Sequence, residues 1–118
     1  MTGVLTVFVT TGSREEAEKI ARAVVEENLA ACANILPGVR SIYRWQGAIE
    51  QTQECALILK TTDDKFPALE ELVKKMHSYK SPCIVAWAVV AGNEAYLQWV
   101  KDVVRLAPVG LKPYSETN

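Results

Sequence analysis

The segment Ser41-Ile42-Tyr43-Arg44-Trp45-Gln46-Gly47, followed by a strand ending in Leu59-Lys60-Thr61, constrains this chain more than any other part. It reads as one long β-hairpin with two large aromatics near its tip. Tyr43 and Trp45 are two residues apart, so on a strand they project from the same face. Aromatics at a hairpin tip need cover, and a chain of 118 residues has little of its own to place over them. A second copy of the chain is the expected cover.

The length fits a single domain over residues 1–118. Hydrophobic content of 49% with 23% charged residues is that of a soluble globular protein. At this size the fraction of surface buried on folding is modest, so oligomerisation helps. The net charge of −1 argues against nonspecific nucleic-acid binding, which needs a basic surface. The N-terminus shows no secretory pattern, and the longest apolar run, 84–91, is too short to span a bilayer. The expectation is a cytoplasmic protein with neither a nucleic-acid nor a membrane partner. Cys32, Cys55 and Cys83 are odd in number and form no CxxC motif, so neither a disulfide framework nor a self-contained zinc knuckle is supported. Cys55 and Cys83 are expected as reduced, partly buried thiols.

Along the chain, 4–10 is a β-branched apolar strand. Thr11-Gly12-Ser13 is a turn, and Ser13 followed by Glu16 has the form of a capping box. Ala17, Ile20, Ala21 and Val24 then recur at helical spacing, and this helix ends near Asn28. A second strand begins at 31–35, is bent or bulged at Pro37-Gly38, and resumes over 39–45. Gly47 marks the turn and 48–62 is the return strand, with a further bulge expected at Gln51-Thr52-Gln53. Asp63 and Asp64 suit a helix start. Phe66, Leu69, Val73 and Met76 form the stripe of a helix ending near His77, with Pro67 in its first turn. After Pro82 a strand covers 83–90. Asn93 caps a third helix carrying Leu97, Val100 and Val104, and an irregular tail is expected from about 106.

The order β-α-β-β-α-β plus a terminal helix is the α+β, ferredoxin-like, split βαβ arrangement. Such a sheet carries its helices on one face. Here the last strand is apolar on both sides, with Val85, Trp87 and Val89 on one and Ile84, Ala86 and Val90 on the other. Strands apolar on both sides belong to sheets buried on both faces, so the second face is expected to meet another protomer.

Several motifs then fall together in order: Ala30-Ala31-Cys32-Ala33-Asn34-Ile35, the Ser41 to Gly47 segment, Lys60-Thr61-Thr62, His77-Ser78-Tyr79 with Pro82 and Ile84, and Tyr96-Leu97-Gln98-Trp99. Together they resemble the CutA family of divalent-cation tolerance proteins over nearly the whole chain. The resemblance implies a ferredoxin-like fold assembled as a tight homotrimer, similar in architecture to the P-II signalling proteins. It also implies a cytoplasmic role in tolerance of copper and other divalent metals, with no known catalytic activity. One motif departs from the family. Where members commonly read His-Pro-Tyr-Glu-x-Pro-Glu, this chain has His77-Ser78-Tyr79-Lys80-Ser81-Pro82-Cys83. Two acidic positions are lost and a thiol is gained.

His77, the only histidine, reads either as a helix C-terminal residue or as a ligand for copper or zinc. Cys32 reads either as a small buried hydrophobe or as a thiolate ligand. The resemblance adds weight to the ligand reading and leaves both alternatives open, because the matching His and Cys are associated with metal in relatives. Two ligands from one chain leave a site incomplete, so further donors come from a neighbour, water or Cys83. Glu54 and Lys60 share a strand face and are either strand-end charges or the polar lining of a cleft. Tyr43, Trp45 and Tyr79 are either interface aromatics or the walls of that cleft.

Three functions compete. A homotrimeric metal-responsive protein rests on Cys32 and His77. A non-catalytic small-ligand sensor or adaptor, working through intersubunit clefts or an unidentified protein partner, rests on Glu54, Lys60 and Tyr79. An enzyme is disfavoured, since no Ser-His-Asp set, carboxylate pair or HExxH motif can be assembled, and no glycine-rich phosphate loop names an organic cofactor.

Overall fold

The computed structural model describes residues 2–108. Seven elements follow in order: β1 (Val4–Thr11), α1 (Arg14–Glu26), β2 (Cys32–Trp45), β3 (Ala48–Thr62), α2 (Phe66–Met76), β4 (Ile84–Ala88) and α3 (Glu94–Val103). The strands form one antiparallel sheet in the order β2-β3-β1-β4. The protein is therefore an α+β domain with the β-α-β-β-α-β order expected from the sequence, plus the terminal helix.

One face of the sheet is closed by α1 and α2. Val7, Val9, Leu57 and Leu59 meet Ala17, Ile20 and Val24 of α1 and Leu69 and Val73 of α2, all without exposed surface. Each of these larger side chains stabilises the fold by about 1.5–3 kcal/mol. The opposite face is covered at one end only, where Val100 and Val104 bury Val4 and Ala31. Beyond α3 that face is open. Val85 is 47% exposed and Trp87 53%, and the Trp87 ring lies 6.3 Å from Phe8 on the neighbouring strand.

The hairpin is set by two local devices. Gln46 and Gly47 both have positive φ, at 49° and 83°. Two left-handed residues between Trp45 and its partner Ala48 are the signature of the type I′ turn, whose twist suits antiparallel strands. The second device is the bulge at Pro37-Gly38. From Leu36 to Val39 β2 advances three residues while β3 moves two, from Ala56 to Glu54. Gly38 takes the left-handed conformation this requires, at φ +79°. The bulge changes which residues of β2 look toward the open face. Before it, Cys32 does so, opposite Lys60; after it, Ser41, Tyr43 and Trp45 do so, on the same side as Glu54.

Four expectations need correction. The register runs unbroken from Val39↔Glu54 to Trp45↔Ala48, so no bulge occurs at Gln51-Thr52-Gln53. Asp63 and Asp64 precede α2 rather than opening it. Pro67 fits the first turn of a helix that begins at Phe66, and Asp64 instead accepts from the Thr62 hydroxyl at 2.6 Å. Strand β4 covers five residues rather than 83–90. Its last pair toward the chain start is Val9↔Ile84, and the next carbonyl of β1, Thr10 O, is taken by the His77 ring at 2.8 Å. Finally, Cys83 is exposed, whereas Cys55 is buried as expected. The irregular tail from about 106 falls largely outside the described residues; within them, helix α3 ends at Val103.

Candidate functional site

Helix α1 begins with Ser13 as N-cap, its hydroxyl accepting from the Glu16 N–H at 3.1 Å. In the usual capping box the Glu side chain returns to the cap residue's own N–H. Here Glu16 reaches one residue further back, to Gly12 N–H at 3.0 Å, and its second oxygen accepts from Ser78 N–H at 2.6 Å. Burial acts to raise the Glu16 pKa, but the backbone donors of Gly12 and Ser78 outweigh it and hold the carboxyl below its usual range. One side chain thus ties the start of α1 to the loop after α2.

That loop is held at a second point by His77, whose side chain has no exposed surface. Its Nε2 lies 2.8 Å from Thr10 O, and its Nδ1 accepts from Tyr79 N–H at 3.0 Å. A carbonyl only accepts and a backbone N–H only donates, so the ring is the neutral tautomer protonated on Nε2. Glu16 Oε2 stands 3.8 Å from Nδ1. With Nδ1 unprotonated this is proximity rather than an ion pair.

From this anchored loop Tyr79 crosses to β3, where its hydroxyl donates to Glu54 Oε2 at 2.7 Å. The Ser41 hydroxyl donates to Glu54 Oε1 at 2.6 Å. Burial, followed by the bond to Glu54, raises the Tyr79 phenol above its ordinary range. Tyr43, Trp45 and Cys83 complete a groove of about 540 Å³ between the hairpin and the loop, with Lys80 also in its wall. The groove is partly apolar, with a carboxylate held by two hydroxyls at its floor.

Cys32 lies elsewhere. It is half-buried on the open face, paired in register with Lys60, and its Sγ is 3.3 Å from the Tyr96 hydroxyl. Burial and the Cys32 contact push the Tyr96 pKa up to about 12. Tyr96 in turn packs on Trp99, with ring centroids 5.6 Å apart.

The structure thus gathers Tyr43, Trp45, Glu54 and Tyr79 into one groove within a single chain and leaves Lys60 out of it. Lys60 shares a face with Glu54 but is six residues along the strand, or about 20 Å. Cys32 and His77 are also apart. His77 is bound at Thr10, whose ladder row contains Ala56 and Leu36, whereas Cys32 is in the row of Lys60 and Thr6. Four residues at about 3.3 Å and two strand spacings at about 4.8 Å separate these rows, so one chain does not bring the thiol and the imidazole to a common ion. Both ring nitrogens are engaged within the fold, so His77 does not fit a metal in this structure. Among the described residues no group of three or more His, Cys, Asp and Glu could hold one. Cys83 lines the groove. Sequence reading missed the second role of Glu16 and the part played by Ser41. The capping-box spacing marked Glu16, but nothing local pointed to Ser78.

The model of the CutA1 divalent ion tolerance protein family matches residues 5–103. The chain belongs to this family. A divalent-cation tolerance protein CutA from Thermus thermophilus is 51% identical over 96 residues, which cover 81% of this chain and 93% of that one. A solved structure of the divalent cation tolerance protein from the same organism superposes with a TM-score of 0.81 at 50% identity, covering 82% of this chain and 94% of that one. A CutA structure from Archaeoglobus fulgidus, named as a periplasmic divalent cation tolerance protein, has a TM-score of 0.83 at 42% identity and covers 86% and 98%. Human protein CutA is 45% identical over 96 residues; the match covers 81% of this chain but only 54% of the human protein. The CutA fold is therefore the four-stranded antiparallel sheet with three helices described above. No described helix is long and apolar enough to cross a membrane.

Proposed function

We propose that this chain is a non-catalytic, cytoplasmic, homotrimeric divalent-cation tolerance protein, and that its response to copper and related divalent metals runs through Cys32 at an assembled interface. The observation that carries this reading is the open sheet face on which Cys32 lies. Val85, Trp87 and the hairpin aromatics make that face apolar, and an apolar face of this kind marks a protein contact. Closed cyclic symmetry, as in the P-II proteins, gives each copy the same cover without leaving a sticky edge. A thiolate is a soft donor suited to copper. One chain supplies only this sulfur, so sister chains furnish the remaining donors.

The test combines light scattering with titration of Cu(II) and Zn(II) into wild type and Cys32→Ala. A trimer that persists on dilution and loses its metal in the variant supports the reading. A monomer in dilute solution, or equal metal uptake by both proteins, overturns it.

A second reading, a small-ligand sensor or adaptor, is favoured by the groove alone. Glu54, pinned by Tyr79 and Ser41, offers a fixed acceptor beside the Tyr43 and Trp45 rings. A thermal-shift screen with metabolites tests it, since a ligand that binds only the folded state raises the midpoint. No response across a broad set counts against it.

A further inference from the structure

The resemblance to divalent-cation tolerance proteins singles out His77, and the geometry assigns it other work. A neutral imidazole has one N–H and one lone pair. In this chain the lone pair of Nδ1 is used by Tyr79 N–H at 3.0 Å and the proton of Nε2 by Thr10 O at 2.8 Å. The ring is fully enclosed and lies beside Tyr79, with centroids 4.7 Å apart. A cation could reach the Nδ1 lone pair only by displacing the Tyr79 amide from it.

We propose that His77 is a positioning residue that joins the edge of β1 to the loop after α2, sets Tyr79 against Glu54, and takes no part in metal binding. Three links form the strut. Thr10 O, one register step beyond the Val9↔Ile84 pair, anchors Nε2–H. Nδ1 fixes the Tyr79 backbone. The Tyr79 phenol then reaches Glu54 Oε2 on β3. Ser78 N–H is held alongside by Glu16, so two successive amides of the loop are pinned from two different elements. An aliphatic side chain at position 77 would supply neither the donor to Thr10 nor the acceptor for Tyr79.

This inference goes beyond the Cys32 reading and does not depend on it. The experiment titrates Cu(II) and Zn(II) into wild type, His77→Asn and His77→Ala, and measures amide exchange at Tyr79 in each full-length protein. The Asn Oδ1 stands where Nδ1 does and can accept from Tyr79 N–H, but it offers copper no imidazole. The expected result is unchanged metal affinity in both variants, faster Tyr79 exchange by about tenfold in His77→Ala, and recovery of most of that protection in His77→Asn. A loss of metal affinity of about tenfold or more in a folded His77→Asn overturns the proposal. An unchanged Tyr79 exchange rate in His77→Ala also overturns it. Should the alanine variant fail to fold while the asparagine variant folds, the strut is supported and the asparagine variant alone decides the metal question. A wild type that binds neither metal removes the Cys32 reading, and the exchange rates then decide this one.

Discussion

The Tyr79 hydroxyl donates to Glu54 Oε2 at 2.7 Å, bridging 25 positions of sequence and joining the loop after α2 to the middle of β3. This bond raises the phenol pKa, after burial. The neutral phenol is therefore the form that the folded state prefers. Because the folded pKa lies above the unfolded value of 10.0, the stability it contributes is complete below pH 10 and is lost as pH rises beyond that. Urea unfolding of wild type should show this alkaline loss. Tyr79→Phe should weaken it while leaving the share due to Tyr96, whose pKa is also raised. At neutral pH the same variant should cost about 1 kcal/mol, the value of a partly exposed hydrogen bond.

Glu16 has the opposite sign. Its folded pKa is below the unfolded value of 4.5, so its contribution is present above that pH and disappears as pH falls through the folded value. Glu16→Gln can accept with one oxygen only, and either Gly12 N–H or Ser78 N–H loses its partner. The variant should be less stable at neutral pH by about 1 kcal/mol and should show a flatter acid limb. Denaturant midpoints measured at intervals from neutral pH to below 4.5 check both; equal slopes in variant and wild type would count against the bridge.

Gly38 carries the bulge at φ +79°, and a Cβ built there meets nothing within 4 Å. Any cost of Gly38→Ala is therefore backbone strain alone, about 1–2 kcal/mol for a left-handed residue. A chemical denaturation curve should show this loss with an unchanged m-value. A neutral substitution would mean that the bulge relaxes to another form.

Trp87 is half exposed on the open face, whereas Leu57, on the helix-covered face, is fully buried. Leu57→Ala should cost about 2–5 kcal/mol in any assembly state. Trp87→Lys should leave the single chain nearly as stable and abolish association, because a charge would enter an apolar contact. Sedimentation of the two variants distinguishes the roles; a trimeric Trp87→Lys would remove that face from the interface.

What the sequence revealed was what is decided locally. Ser13 and Asn93 cap their helices as their spacing suggested, since a cap involves only the next three residues. The Pro37-Gly38 bulge and the Gln46-Gly47 turn were legible for the same reason. That Tyr43 and Trp45 share a face with Glu54 was legible too, since alternation along a strand fixes the face. The errors came from distant partners. Strand β4 begins at Ile84 rather than Cys83, where a histidine seven positions before its start claims the Thr10 carbonyl, a contact across 67 residues. Asp63 and Asp64 imitate a first helical turn, but the helix waits for Phe66 and Pro67. Lys60 shares a face with Glu54, yet a shared face says nothing about distance along it.

The bulge also limits how the projecting arm can change its length. Because a strand alternates sides at every step, one added or removed residue between Gly38 and Tyr43 would turn the aromatic tip toward the helices and present Arg44 in its place. The arm can therefore grow or shrink only by even increments matched on both strands, and a register shift of one within it would leave a folded core carrying a reversed arm.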